Sequence, residues 1–265
     1  MTNPLLAWRD TLRDLGVMGL IPTLDPPARP RVGGEFPTEI PEKKEMKVAP
    51  PPAEAPLKGV SLPATVGFCP SPNAVAAAGT LGDLESAISS CMACPLGSGR
   101  VRFVFGEGDP HADLMFIGEG PGRDEDLLGR PFVGKAGELL DKMIEAIGLK
   151  RGDIYITNVV KCRPPDNRTP TEAEAQACLG YLKRQIELVQ PKVIVTLGAT
   201  PLRELLGVTT GITRIRGQWQ RFGNLPVMPT FHPAYVLRQY TPEVRRSVWE
   251  DLKAAKAWVD GDGSR

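Results

Sequence analysis

Short apolar runs alternate with longer amphipathic segments along the C-terminal two thirds of the chain. Four runs have the length and composition of buried strands, at residues 114–117, 154–160, 193–197 and 227–229. Apolar residues at steps of three and four predict helices over residues 81–90, 136–147, 171–189, 199–206 and 243–259. This alternation predicts an α/β fold with a mainly parallel four-stranded sheet and helices on both faces.

The N-terminal third has a different pattern. Residues 1–20 carry apolar positions at helical spacing and predict a possible short helix, while 13 of the chain's 27 prolines fall between Ile21 and Asn73. A Pro-rich stretch with few aromatic residues buries too little apolar surface to offset its ordering entropy. We therefore expect a disordered linker over residues 21–79 and one globular domain over residues 80–265.

The charge balance is nearly even, with 32 Lys and Arg against 31 Asp and Glu and a net charge of +1. Any binding to nucleic acid must therefore come from a local basic face and not from the total charge. No apolar run is as long as a membrane span, and the N-terminus lacks a signal-peptide core. These features predict a cytoplasmic protein that does not bind membranes.

A glycine-rich loop over residues 118–137 follows the first predicted strand and leads into a predicted helix. Open α/β sheets place ligands at such carboxyl ends of strands. The spacing of Gly129, Gly134 and Lys135 nearly matches a phosphate-binding P-loop, but Ala136 stands where the magnesium-binding hydroxyl is needed. Gly118, Gly120 and Gly122 similarly approach a dinucleotide fingerprint, with the third glycine one position too early. Neither motif is complete.

Four cysteines form a candidate metal site: Cys91, Cys94, Cys162 and Cys178. Paired cysteines in an intracellular protein indicate metal binding more often than disulfides. Four thiolates suit structural zinc or a [4Fe–4S] cluster, and spacing alone does not decide between them. The two distant single cysteines, and the prolines after Cys162, favour iron–sulfur. Cys69 lies in the linker and has no assigned role.

Polar residues follow several of the predicted strands. Asn158 ends the second strand, and its amide offers both a donor and an acceptor for reading a pyrimidine edge. His232 follows the last strand, at the same sheet edge as Glu119. Convergence of three loops at one edge predicts a functional site there.

Four motifs together resemble one family. The sequences GEGPG at 118–122, GRPFVG at 129–134, ITNVVKC at 156–162 and HPA at 232–234, with the four cysteines in order, closely resemble the family 4 uracil-DNA glycosylases, an iron–sulfur class. The resemblance covers residues 85 to 258. It implies a three-layer α/β/α sandwich, a [4Fe–4S] cluster and excision of uracil from DNA during base excision repair, which leaves an abasic site.

The resemblance also implies roles for particular residues. Glu119, Glu125 and His232 are expected to be catalytic, and Gly120, Gly122, Phe132 and Asn158 to bind the flipped uracil. The segment after His232 is expected to contact DNA, with Tyr235, Val236 and Leu237 as candidate wedges and Arg238 on a phosphate. Glu119 is expected to orient the attacking water, and Glu125 to shape the pocket wall that excludes the methyl group of thymine.

Alternative functions remain open at this point. A non-catalytic metal-cluster protein that binds DNA through the same fold is one, and a nucleotide-dependent redox enzyme is the other. The expected partner is uracil-containing DNA, single- or double-stranded, and the expected state is a monomer. The N-terminal segment is a candidate docking site for a repair or replication protein. The segment after Cys162 has no histidine that would form a covalent bond to DNA, so ordinary turnover is expected.

Overall fold

The structure is a computed structural model that describes residues 68–261. The predicted helix in residues 1–20 and most of the predicted linker lie outside this range. In the described range, the structure differs from the predicted boundary at residue 80. A helix over Pro72–Ala77, capped by the Ser71 hydroxyl, precedes that boundary, and Ala78 is buried in the core. Pro70 precedes this helix and Pro72 begins it. The proline content therefore predicts a linker at these positions, although the residues form a helix.

One six-stranded sheet forms the centre of the described structure. Its strands are β1 (Glu107–Gly108), β2 (Leu114–Gly118), β3 (Tyr155–Asn158), β4 (Val193–Leu197), β5 (Gln220–Phe222) and β6 (Leu225–Thr230), in the order β1-β3-β2-β4-β6-β5. The four predicted strands are β2, β3, β4 and β6, which pair in parallel. The predicted strand number is corrected to six, because short antiparallel strands flank each edge. These edge strands have two or three residues, too few for a period-two pattern.

Helices join the strands and cover the sheet. They are α1 (Pro72–Ala77), α2 (Leu81–Ile88), α3 (Leu96–Gly99), α4 (Arg123–Leu128), α5 (Lys135–Ala146), α6 (Glu172–Val189), α7 (Ala199–Leu206), α8 (Ile212–Ile215), α9 (Pro233–Arg238) and α10 (Pro242–Val259). The five predicted helices are α2, α5, α6, α7 and α10. The others have six residues or fewer, less than two helical turns, so their periodicity is not visible in the sequence.

The core lies on both faces of the sheet. On one face an apolar cluster joins Met115 and Ile194 of the sheet to Leu84 of α2 and Leu182 of α6. Alternate residues such as Phe116 point to the opposite face, where α10 contacts β4 and β6 and also packs against α5. The result is the expected three-layer α/β/α arrangement. No helix within residues 68–261 is long and apolar enough to cross a membrane.

The chain reverses its direction of travel across the sheet beside β2. It runs from β2 outward to β3 and then crosses back to β4 on the other side of β2. The loops after β2 and β4 therefore diverge to opposite faces, and a crevice opens between the carboxyl ends of these two strands. Ligands of open α/β sheets bind at this topological switch point.

Candidate functional site

A cavity of about 920 Å³ lies at the carboxyl ends of the parallel strands. Its walls come from the loops after β2, β3, β4 and β6, in agreement with the predicted edge. The lining includes Glu119, Gly120, Gly122, Glu125, Phe132, Asn158, Thr200, His232, Tyr235 and Arg238. Sequence motifs separated by more than one hundred residues are thus brought to a single site.

Asn158 and Phe132 meet at Gly118. The end of β2 pairs Gly118 with Asn158, and a Cβ built on Gly118 would lie 2.5 Å from Phe132 Cζ and nearer still to Asn158 Oδ1. Only glycine leaves room for the amide and the ring together. The Asn158 Oδ1 atom is buried and has no hydrogen-bond partner within the described residues. Because an unpaired buried acceptor is costly, this atom is suited to receive a donor from a ligand.

Glu125 ties the two halves of the glycine-rich loop together. Its Oε2 accepts a hydrogen bond from the Gly122 N–H at 3.0 Å, and its Oε1 accepts from the Val133 and Gly134 N–H groups at 2.9 and 3.0 Å. A Cβ on Gly122 would come within 2.7 Å of the same carboxylate. With three amide donors bound, Glu125 holds the backbone on both sides of Phe132.

Glu119 has a different environment. It follows β2, and its Oε2 accepts a hydrogen bond of 2.5 Å from the Thr200 hydroxyl at the start of α7. Thr200 is buried, whereas Glu119 is partly exposed to the cavity. No backbone amide binds the Glu119 carboxylate among the described contacts, so one of its oxygens is available to a molecule in the cavity.

His232 is the N-cap of α9. Its Nδ1 accepts a hydrogen bond of 3.1 Å from the Ala234 N–H, so a neutral imidazole carries its proton on Nε2. Burial lowers the pKa of His232 to about 4, and the positive charge of Arg238 adds to this effect, while Glu125 opposes it. The ring lies 5.7 Å from the Phe132 ring. At neutral pH, His232 is therefore an uncharged hydrogen-bond donor beside Phe132.

A buried polar network lies behind Asn158. The Lys161 Nζ donates to the Asn158 carbonyl at 2.7 Å, to Thr157 Oγ1 at 2.6 Å and to Gln185 Oε1 at 2.5 Å. Gln185 in turn donates to the Tyr155 hydroxyl and to a backbone carbonyl. Burial lowers the pKa of Lys161 to about 7. The network fixes the end of β3 from which the Asn158 side chain projects.

The candidate DNA-contacting residues differ in exposure. Tyr235 and Arg238 line the mouth of the cavity, and Leu237 is 41% exposed. Val236 is fully buried, so its side chain belongs to the core, and its predicted role as a DNA wedge is not compatible with this structure. The exposures differ because these residues lie in the short helix α9, one side of which faces the core while the other side faces solvent.

The four predicted metal-binding cysteines lie in one region. Cys91 and Cys94 precede α3, Cys162 lies in the loop after β3, and Cys178 lies in α6. Cys91, Cys162 and Cys178 are buried and Cys94 is partly exposed. The Arg100 guanidinium donates to Cys162 Sγ at 3.3 Å and to the Cys91 carbonyl at 2.5 Å. It thereby joins two segments that carry thiols.

The thiols are also linked electrostatically. Burial raises the pKa of Cys178 to about 12 and raises the pKa of Cys94 and Cys162, and the other thiols add to each shift. Backbone N–H groups at residues 96 and 97 act in the opposite direction on Cys94. Within residues 68–261, however, no three His, Cys, Asp or Glu side chains converge closely enough to hold a metal ion in the positions that they occupy.

Comparison with known proteins places this site in a family. A family model described as the uracil DNA glycosylase superfamily matches residues 105–253, more than half of the chain. The chain belongs to this superfamily. The matched residues include every part of the cavity wall described above.

Individual members of the superfamily are similar over most of their length. A type-4 uracil-DNA glycosylase of Thermotoga maritima is 48% identical over 180 residues, which cover 66% of this chain and 93% of the relative. One of Archaeoglobus fulgidus is 44% identical over 182 residues, 66% of this chain and 90% of the relative. A type-5 enzyme of Thermus thermophilus is 35% identical over only 120 residues. The predicted resemblance to the type-4 group of the superfamily is thus confirmed.

Several residues of the site were not predicted from the sequence. Thr200 and Lys161 contact predicted site residues, Gln185 accepts a hydrogen bond from Lys161, and Arg203 and Lys135 line the cavity. For Thr200, a signal was available, because it follows β4 at the same sheet edge as Glu119. Gln185 lies within a long helix and carries no comparable signal.

Proposed function

We propose that this protein removes uracil from DNA by hydrolysis of the N-glycosidic bond and leaves an abasic site. The observation that carries the proposal is the unpaired, buried Oδ1 of Asn158 beside the Phe132 ring in the cavity. A base inside a duplex cannot reach this depth, so the nucleotide must be flipped out of the stack. The membership of the superfamily supports the same reaction.

The base would be bound by stacking and by its hydrogen-bonding edge. Phe132 offers a ring for stacking, a contact worth about 1–3 kcal/mol per base. Asn158 Oδ1 would accept the N3–H of uracil, and its amide nitrogen would donate to O4. Cytosine presents an acceptor at N3 and a donor at the neighbouring position, so it would leave both amide groups unpaired. Asn158 is therefore proposed to select uracil over cytosine.

Bond cleavage would be assisted electrostatically. As the C1′–N1 bond breaks, negative charge develops on the uracil oxygens and positive charge on the sugar. The Nε2–H of neutral His232 would donate to the developing oxyanion at O2, and preorganised donors of this kind lower barriers by several kcal/mol. Backbone N–H groups of the Gly120–Gly122 turn are further candidate donors.

Glu119 and Glu125 are proposed to have separate roles. Glu119 has a carboxylate oxygen available to the cavity and would orient the attacking water or stabilise the sugar cation. Both oxygens of Glu125 bind backbone amides, which supports a role in shaping the pocket wall that excludes the thymine methyl. In this proposal, Glu119 acts on the reacting atoms, while Glu125 fixes the loop that carries Phe132.

We propose that Cys91, Cys94, Cys162 and Cys178 hold a [4Fe–4S] cluster with a structural role. The chemistry of the donor set fits, because four thiols share one region, and the N–H donors from Arg100 and the α3 backbone are suited to sulfide and thiolate acceptors. The thiols would have to approach one another from the positions that they occupy in the structure. When bound, the cluster would connect the segment before α3, the loop after β3 and α6. Glycosidic hydrolysis requires no electron transfer, so the cluster is given no redox step.

DNA would bind across the mouth of the cavity. Arg123, Lys135 and Arg238 line this mouth and form no ion pair within the described residues, which leaves their charges available to phosphates. Leu237 and Tyr235 are the candidate wedges for the vacated stack. A monomeric state, a cytoplasmic location and a partner for the N-terminal segment stay predictions.

The decisive experiment is single-turnover excision from a uracil-containing oligonucleotide, with alkali to cleave abasic sites. We expect the natural protein to excise uracil and Asn158→Ala to do so at least a hundredfold more slowly. This decrease in rate is on the order of several kcal/mol of transition-state binding. Asn73→Ala, at an exposed position on α1, is the matched control. An intact oligonucleotide with the natural protein would instead support the non-catalytic alternative.

A further inference from the structure

Phe132 has an unusual backbone conformation. Its φ is +51°, in the left-handed region that residues with bulky side chains rarely occupy. Such a conformation is energetically unfavourable and persists only where its surroundings enforce it. Contacts around Phe132 must therefore hold its backbone in this conformation, and they thereby set the direction of its ring in the cavity.

Arg151 contacts the backbone at this point. It lies in the 3₁₀ turn Arg151–Asp153, which precedes β3 and is 19 residues away in sequence. Its Nη1 donates to the Phe132 carbonyl at 3.2 Å, and its Nη2 donates to the Pro131 carbonyl. Two successive carbonyls are thus bound by one guanidinium group.

Two carboxylates hold the guanidinium in place. The Arg151 Nε donates to Glu107 Oε1 at 2.5 Å, and its Nη1 donates to Asp141 Oδ1 at 2.7 Å. Its side chain is only 20% exposed, so these pairs are shielded from solvent more than surface pairs are. All three nitrogen atoms of the group have partners, and the group is anchored to β1 and α5.

The opposite side of the segment is closed by α5. A Cβ built on Gly137 would overlap the Phe132 carbonyl group, so the absence of a side chain at Gly137 allows α5 to approach this closely. The Phe132 backbone is therefore enclosed between the first turn of α5 and the Arg151 guanidinium. Neither Glu125, which binds the following N–H groups, nor α5 provides donors to these two carbonyls.

We propose that Arg151 is a positioning residue that holds Phe132 in its left-handed conformation and so directs the ring to the base. This inference rests on the proposed stacking role of Phe132. The planar guanidinium can bind two carbonyls and two carboxylates at once, which the single nitrogen of lysine cannot do in the same geometry. Arg151 does not itself line the cavity, and it reaches the lining through its hydrogen bond to the Phe132 carbonyl.

The test is a double-mutant cycle between Arg151→Met and Phe132→Ala in single-turnover excision. We expect each single variant to be slower by roughly tenfold, within the range that base stacking supports. The double variant should be no slower than Phe132→Ala alone, because Arg151 acts through the ring. Arg151→Met should also weaken product inhibition by free uracil, a readout that does not depend on DNA binding.

Arg130→Met is the matched control. Arg130 forms a 2.8 Å ion pair with the same Glu107, but its side chain is 61% exposed, and it donates to neither carbonyl. We expect it to leave the excision rate and the inhibition by uracil unchanged. If Arg151→Met does not fold, Arg151→Lys keeps the charge and provides the same cycle with a smaller loss.

Three outcomes would overturn the inference, and they are distinguishable. A double variant slowed by the product of the two single effects would show that Arg151 acts independently of Phe132. An equal loss in Arg130→Met would assign the effect to the Glu107 ion pairs as a whole. Full activity of Phe132→Ala would remove the stacking role itself, and with it the part of the proposed function on which the inference depends.

Discussion

The Thr200 hydroxyl donates a 2.5 Å hydrogen bond to Glu119 Oε2 across the crevice between the carboxyl ends of β2 and β4. The two residues lie 81 positions apart in sequence. The bond forms at the topological switch point, where the loops after these strands diverge. It fixes one oxygen of the carboxylate that we propose to orient the attacking water, and the other oxygen has no hydrogen bond among the described residues.

Removal of this hydroxyl should slow the chemical step. Thr200→Val keeps the shape of the side chain but leaves the Glu119 carboxylate without its donor. Hydrogen bonds to charged groups contribute about 1.5–3 kcal/mol, so we expect single-turnover excision to slow by about tenfold or more. Thr200→Ser, which retains the hydroxyl, should stay within a few-fold of the natural protein. Equal rates for the Val and Ser variants would contradict the role of the bond.

Much of the fold could be predicted from the sequence, because its signals are local. Each buried parallel strand is a short apolar run, and each long helix shows its own period. The edge strands β1 and β5 are too short to carry such a signal, and α1 was missed because prolines around it resemble a linker. In these cases a few residues adopt regular structure through contacts with distant parts of the chain.

The candidate site shows the same division. Glu119, Asn158 and His232 could be placed at one edge because each follows a strand, and Phe132 was found through the motif that contains it. The contacts that orient them could not be predicted in this way. Thr200 reaches Glu119 and Arg151 reaches Phe132 only after the sheet has formed, and no local pattern encodes either pair. The predicted role of Val236 as a DNA wedge was wrong, because the short helix α9 turns this side chain into the core.

The depressed pKa of His232 predicts a dependence of stability on pH. The folded pKa of about 4 lies below the ordinary value near 6.5, so the unfolded state binds a proton first as the pH falls. Protonation in the folded state would also break the bond from the Ala234 N–H to Nδ1. We expect the free energy of unfolding to fall progressively as the pH drops from about 6.5 to about 4, by up to about 3 kcal/mol, because the unfolded state binds a proton that the folded state excludes.

Denaturant unfolding at pH 7 and pH 5 measures this effect. His232→Asn keeps an acceptor suited to the N-cap position and does not titrate. The stability of the natural protein relative to this variant should fall between the two pH values. His111→Asn, at an exposed position, should give no such change. A difference between the natural protein and His232→Asn that stays constant with pH would show that His232 is not held neutral by its surroundings.

The proposed cluster makes a prediction about metal content. Cys162→Ser and Cys178→Ser should lose iron and the brown colour of anaerobically purified protein, and should unfold at lower temperature. A ligand present at about a thousand times its dissociation constant stabilises the native state by about 4 kcal/mol, so the loss of stability in these variants is measurable. Cys69→Ser, at an exposed position, should retain iron and stability. Colourless protein that contains zinc would exclude the iron–sulfur assignment.

Arg238 should contribute charge to DNA binding without contributing specificity. It lies at the mouth of the cavity and forms no ion pair within the described residues. Each phosphate contact releases counterions, so Arg238→Ala should reduce the slope of log affinity against log salt by about one on uracil-free duplex DNA. Lys192→Ala is the matched control, because Lys192 pairs with Asp113 at the amino ends of β2 and β4, the sheet edge opposite the cavity. A salt slope that is unchanged in Arg238→Ala, or reduced equally in Lys192→Ala, would place the DNA on a different surface.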